Sequence, residues 1–168
     1  TPVGVTQSIG QGVIAFAEAY AELKPDIVVL LGDRFEILAA ATAALIAGVP
    51  VAHLHGGEIT EGAFAEAVRH ACTKMSHLHF VAAEPYRRRV IQRGEAPGGV
   101  FLTGGLGVDP IRKTRLLDRE SLEAALDFKF GRKNLLVPFH PVTLEKNPAP
   151  VQMAELLIAL FPHSVDRF

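Results

Sequence analysis

Apolar and polar positions follow two rhythms along the first hundred residues. Over residues 9–23 apolar side chains recur every three or four positions in an alanine-rich stretch, which predicts an amphipathic helix stopped by Pro25. Residues 26–31 are instead short, continuous and rich in β-branched side chains, the pattern of a strand buried in a parallel sheet. Gly32 and Asp33 then turn the chain into a second alanine-rich helix, 35–47, and a strand is predicted over 49–54. The cycle continues with a helix over about 62–75, a strand over 78–82, a helix over 85–93 and a strand over 100–103. Such alternation predicts an α/β fold, a doubly wound, Rossmann-like parallel sheet with helices on both faces. Ligands of these folds gather at the carboxyl ends of the strands, so the loops after Leu31, Leu54, Ala82 and Thr103 are the ones to inspect.

Past Gly104-Gly105 the texture changes. Residues 111–130 are highly charged and predict a connecting helical stretch, 134–140 a strand, and 151–160 a helix. A boundary within 106–115 divides the chain into a first domain, 1–108, and a second, 109–168. One strand and two helices are too little to bury a core, so the second domain is expected to be incomplete.

Composition narrows the class. The 168 residues are 49% apolar and 21% charged with a formal net charge of −1, the balance of a soluble globular protein. That charge leaves no electrostatic footprint for nucleic acid or for an anionic membrane surface, and neither partner is expected. The run Arg87-Arg88-Arg89 has Glu84 and Glu95 nearby and reads as a solvated helix face. A single cysteine, Cys72, provides neither an internal disulfide nor a Cys-rich zinc site and fits a reducing compartment. No segment reaches the roughly 18 consecutive apolar residues of a membrane span. The expectation is a cytoplasmic protein.

Four clusters could carry chemistry. In Gly32-Asp33-Arg34-Phe35-Glu36, Asp33 is placed equally well to cap the next helix or to serve a site, and Arg34 can grip a phosphate or carboxylate bidentately. In His53-Leu54-His55-Gly56-Gly57-Glu58, strand parity puts His53 and His55 on one side. They could bind a metal, as could His77 and His79, but no local carboxylate or cysteine completes either pair, and no metal site is expected. Gly56, Gly57 and Glu58 suit a loop around a substrate, with the carboxylate binding hydroxyls or moving protons. Glu66, Arg69 and His70 sit at helical spacing and can face one way, as a surface ion pair or as part of the same site. His140, followed by Pro141, would end the strand of the second domain.

The stretches Gly32-Asp33-Arg34-Phe35-Glu36, His53-Leu54-His55-Gly56-Gly57-Glu58, the run from Arg69 to His77, Gly104-Gly105-Leu106-Gly107-Val108-Asp109 and His140-Pro141-Val142-Thr143 occur in an order that resembles the hydrolysing UDP-N-acetylglucosamine 2-epimerases. The likeness is greatest to the branch that makes N-acetylmannosamine for sialic acid. It implies two Rossmann-like domains of the glycosyltransferase-B-like kind and a UDP-sugar substrate. It further implies anti elimination of UDP to a 2-acetamidoglucal, followed by hydration, without metal or redox cofactor, in a homodimer. By motif position it makes Asp33 and Glu66 carboxylates near the sugar and His140 a histidine of the second domain. His55 stands where a distant branch has Glu, so the C2 base is open among these groups and Glu58. Arg34, Gly56, Gly57, Arg69 and His70 fall to substrate binding. Members of the family are roughly twice this length, and a nucleotide-holding Gly-x-Arg-x-Glu loop and a Ser/Gly-rich phosphate loop have no counterpart here. The last eight residues do not resemble the family's continuation, so the chain is expected to be the middle of such an enzyme.

Overall fold

The computed structural model describes residues 1–141 and 149–160. α1 (Pro2–Leu23) starts earlier than its apolar rhythm predicts because Thr1 caps it: Thr1 Oγ1 accepts from the Gly4 amide at 3.1 Å, and Pro2 occupies the first helical position. β1 (Val28–Leu31), α2 (Phe35–Ala47), β2 (Val51–Leu54), α3 (Ala65–Lys74), β3 (Leu78–Val81), α4 (Glu84–Gln92) and β4 (Val100–Leu102) follow in the predicted alternation. The strands pair in parallel in the order β1-β2-β3-β4. The α/β parallel sheet read from the pattern is the fold observed.

Strand order explains which face carries the core. Every crossover steps to the next strand in the same direction, and right-handed crossovers that all step one way deliver their helices to one face. Val28, Leu30, Val51, Val81 and Val100 point to that face and pack with Ala40, Ala41, Ala44, Val68, Cys72 and Val90. On the opposite face Val29 and Leu31 are 62% and 53% exposed. The described residues therefore show one winding of the fold. α1 packs along α2 through small side chains; a Cβ on Gly12 would lie 3.0 Å from that of Ala39. Among the described residues no helix is long and apolar enough to cross a membrane.

Two polar features lie inside this first unit, Thr1–Arg112. His53, in mid-β2, is fully buried on the helix-covered face. Burial pushes its pKa down to about 4, with the Gly32 carbonyl, through its hydrogen bond, working the other way. Burial also lowers the pKa of His70 and His79. The second feature is a close backbone approach: Gly57 has φ +79°, and a Cβ there would lie 2.5 Å from the Tyr86 carbonyl oxygen of α4.

α5 (Val108–Lys113) leads into the second unit, which contains α6 (Arg119–Leu126) and α7 (Ala149–Leu160). The helical stretch expected over 111–130 is thus two helices, and the second starts afresh because Asp118 caps it, accepting from the Ser121 amide at 2.8 Å. The strand expected over 134–140 does not form. A strand needs a neighbour for its amides and carbonyls, none of the described residues of this unit supplies one, and Pro138 lacks a donor. Leu135 and Leu136 stay 83% and 96% exposed. Val142 and Thr143 lie outside the described residues.

Two outcomes follow for stability. A histidine whose folded pKa lies below its unfolded value is protonated more readily in the unfolded chain. Stability is therefore full above pH 6.5 and falls as the pH drops from 6.5 through about 4. His53 accounts for a loss on the order of 3 kcal/mol, and His70 and His79 act in the same direction. Urea midpoints across this window should show the decline, with a flatter slope in His53→Gln. Gly57→Ala should cost at least about 1–3 kcal/mol by the same measurement, from positive φ alone.

Candidate functional site

β1, β2 and β4 each hand their loop over by one more ladder bond. Gly32 N donates to Leu54 O at 3.0 Å, His55 N to Phe80 O at 2.8 Å, and Thr103 N to Val81 O at 3.0 Å. The loops carrying Asp33, His55 and Gly104 therefore leave the carboxyl edge of the sheet side by side.

Arg69, on α3, is 6% exposed and meets the first two of these loops. Its Nη1 donates to Glu58 Oε2 at 2.9 Å, and its Nη2 donates to Asp33 Oδ2 and to Thr60 Oγ1. A cation so withdrawn from water requires this pairing. Of the two placements read for Asp33, the cap is not the one observed: the cap position of α2 is Arg34, with no side-chain capping bond, and Asp33 pairs with Arg69.

Glu58 uses its other oxygen on His55, whose Nδ1 lies 2.7 Å from Oε1. The Leu106 amide points at His55 Nε2 from 3.4 Å. An amide only donates, so Nε2 is the acceptor and the ring proton sits on Nδ1, facing Glu58. His55 thus presents an unprotonated nitrogen towards the Gly105-Leu106 turn. Beyond it lies an open groove of about 370 Å³, lined by Ala82, Thr103, Gly104, Gly105, Leu106, Val108, Asp109 and Arg112.

The pairing of His53 with His55 expected from strand parity is not formed. β2 ends at Leu54, and His55 has φ +62°, which turns its side chain out of register. His53 goes inward to Gly32 O at 2.8 Å and Thr73 Oγ1 at 3.1 Å, while His55 goes to Glu58. His77 and His79 also separate: His77 Nδ1 accepts from the Val51 amide at 3.3 Å, and His79 Nε2 lies 3.4 Å from Glu95.

Glu66, Arg69 and His70 do share a side of α3. Glu66 Oε2 accepts from the Thr60 amide at 3.3 Å and its Oε1 lies 3.7 Å from His70 Nε2. Both ring nitrogens of His70 are buried without a hydrogen bond, and burial, then the charge of Arg93, lowers its pKa. Arg34 folds onto exposed Glu36 at 2.7 Å, beside a recess of about 200 Å³ that it lines with Asp33, Phe35, Phe64 and Ala65. Gly56 and Gly57 are buried. His140 is exposed within the second unit, which is described by itself.

Three participants escape the sequence reading. Thr60 joins Arg69 and Glu66, and Thr73 joins His53 to α3. The reading of Arg87-Arg88-Arg89 as a solvated face holds for Arg88 but not for Arg89, whose Nη1 donates to the Gly57 carbonyl. The side-chain pattern of α4 gives no sign of this, because the partner is backbone.

Residues 1–164 match the family model described as UDP-N-acetylglucosamine 2-epimerase. The chain is 39% identical over 155 residues to the GDP/UDP-N,N'-diacetylbacillosamine 2-epimerase (hydrolyzing) of Campylobacter jejuni, covering 92% of this chain and 40% of that protein. It is 40% identical over 149 residues to polysialic acid biosynthesis protein P7 of Escherichia coli, covering 87% and 37%. The chain thus spans about two fifths of the length of these relatives. Among solved structures, the UDP-GlcNAc 2-epimerase of Neisseria meningitidis bound to UDP-GlcNAc superposes with a TM-score of 0.62 at 21% identity, over 73% of this chain and 36% of that one. That likeness carries the fold, a Rossmann-like sheet of the glycosyltransferase-B-like kind. The match over nearly its whole length, to a model of that description, shows that the chain belongs to the UDP-N-acetylglucosamine 2-epimerase family.

Proposed function

We propose that this chain supplies the sugar-facing part of a site that eliminates UDP from UDP-N-acetylglucosamine and hydrates the resulting 2-acetamidoglucal to N-acetylmannosamine. The observation that carries this reading is the run Asp33–Arg69–Glu58–His55, assembled from three loops or helices at the carboxyl edge of the sheet. Elimination needs a group that takes the proton from C2 and others that position the ring and deliver a proton later. His55 is suited to proton transfer, because Glu58 orients the imidazole and leaves Nε2 as the accepting atom. Asp33 and Glu66 hold sugar hydroxyls from either side of Thr60, and Arg69 keeps Asp33 and Glu58 in place before substrate arrives. Such preorganisation spares the reaction the cost of arranging charges at the moment of bond breaking.

A second reading changes the sugar and keeps the chemistry. Two relatives at 39% identity are named for N,N'-diacetylbacillosamine, whereas the Neisseria meningitidis UDP-N-acetylglucosamine 2-epimerase is 30% identical. The substrate of that reading is a UDP-diacetamido-trideoxyhexose.

UDP release from both sugars, by this chain and by a version extended to the length of its relatives, tests the proposal. Turnover of UDP-N-acetylglucosamine with N-acetylmannosamine as product supports the first reading; turnover of the diacetamido sugar alone supports the second. Release from neither overturns both. In the active form, His55→Gln and Asp33→Asn should each lower kcat about 10²–10⁴-fold. Arg69→Met should match the weaker of them or exceed it, since it leaves two carboxylates without their partner.

A further inference from the structure

His53 has no part in the reaction as proposed, yet its ring touches all three segments that carry the site. Nε2 lies 2.8 Å from the carbonyl of Gly32, the residue before Asp33. Nδ1 lies 3.1 Å from Thr73 Oγ1, and that hydroxyl is 3.0 Å from the carbonyl of Arg69, one helical turn back. Gly56, between His55 and Glu58, packs on both: a Cβ there would lie 3.0 Å from Thr73 Oγ1 and 3.2 Å from His53 Nδ1. A carbonyl only accepts, so Nε2 carries the proton. The Thr73 hydroxyl has one proton, and with Nε2 protonated that proton goes to Nδ1, while the Arg69 carbonyl keeps the helical Thr73 amide as its donor. An apolar side chain of the same size would leave the Gly32 carbonyl buried without a donor.

We infer that His53 is a positioning residue for the reaction, locking the Gly32-Asp33 turn, the Arg69 turn of α3 and the Gly56 turn into one register through its Nε2–H tautomer. The ring is fully buried and offers no surface to a ligand, so it acts only through Asp33, Arg69 and Glu58. The inference rests on the proposed reaction for its kinetic consequence and on geometry alone for its structural one.

Two substitutions separate the ring's two contacts. Glutamine places its amide where Nε2 stood and keeps a donor for Gly32; asparagine places its amide near Nδ1 and abandons Gly32. In this chain, ¹⁵N spectra should show the Nε2–H form of His53, and the guanidinium protons of Arg69 should exchange slowly. Exchange should quicken in His53→Asn and stay slow in His53→Gln. In the extended, active protein, His53→Asn should lower kcat about ten- to a hundredfold with KM within about threefold, and His53→Gln should recover most of the loss. Should His53→Asn not fold, Thr73→Val, which removes the donor to Nδ1 at constant shape, should still quicken Arg69 exchange. The inference is overturned by an Nδ1–H tautomer in the wild type. It is overturned equally by wild-type Arg69 exchange in a folded His53→Asn or Thr73→Val chain, or by equal kinetic losses for Asn and Gln. Absence of any UDP release would sink the reaction reading but leave the tautomer and exchange measurements to decide the role of His53.

Discussion

A guanidinium nearly removed from water organises this molecule. Arg69 is only tolerated where carboxylates meet it, because an unpaired buried cation costs several kcal/mol. Asp33, from the turn after β1, and Glu58, from the turn after β2, are therefore held as firmly by the electrostatics of the fold as by their own loops. Glu58 passes the constraint to His55, and Thr60 ties the following loop to the same group. Removing the cation would not merely delete one side chain. It would release the segments whose common position defines the site.

The sheet makes that meeting possible. Parallel strands that step in one direction align their carboxyl ends along one edge, and each crossover returns its helix to one face. α3 thereby brings Arg69 beneath the loops of the two preceding strands. The same handedness leaves Val29 and Leu31 uncovered on the far face. The meeting of these charged groups and the uncovered strand face thus have one topological origin.

Much of this was legible in residue order. The alanine-rich helices and β-branched strands fall where periodicity places them, because local preference and burial agree there. Gly32-Asp33 and Gly56-Gly57-Glu58 read as loops after strands, and they are. What stayed hidden depends on backbone or on distance. Strand parity mispaired His53 and His55, since a single left-handed residue ends the rule that parity relies on. Arg89 looked like surface because its partner is the Gly57 carbonyl, which no side-chain pattern encodes. Residues 134–140 read as a strand because pattern reports only what a segment prefers, whereas a strand also requires a neighbour.

The positive φ of His55 also bears on how such a site can change over evolutionary time. His, Asn and Asp accept that conformation more readily than other side chains, and β-branched residues accept it least. Gly57, pressed against α4, has no freedom at all. Variation near the turn is thereby channelled towards exposed Ile59 and Glu61, whereas Gly62, at φ +73°, shares the restriction. The tight turn acts as a fixed post, around which exposed neighbours can vary without disturbing the run from Asp33 through Arg69 and Glu58 to His55.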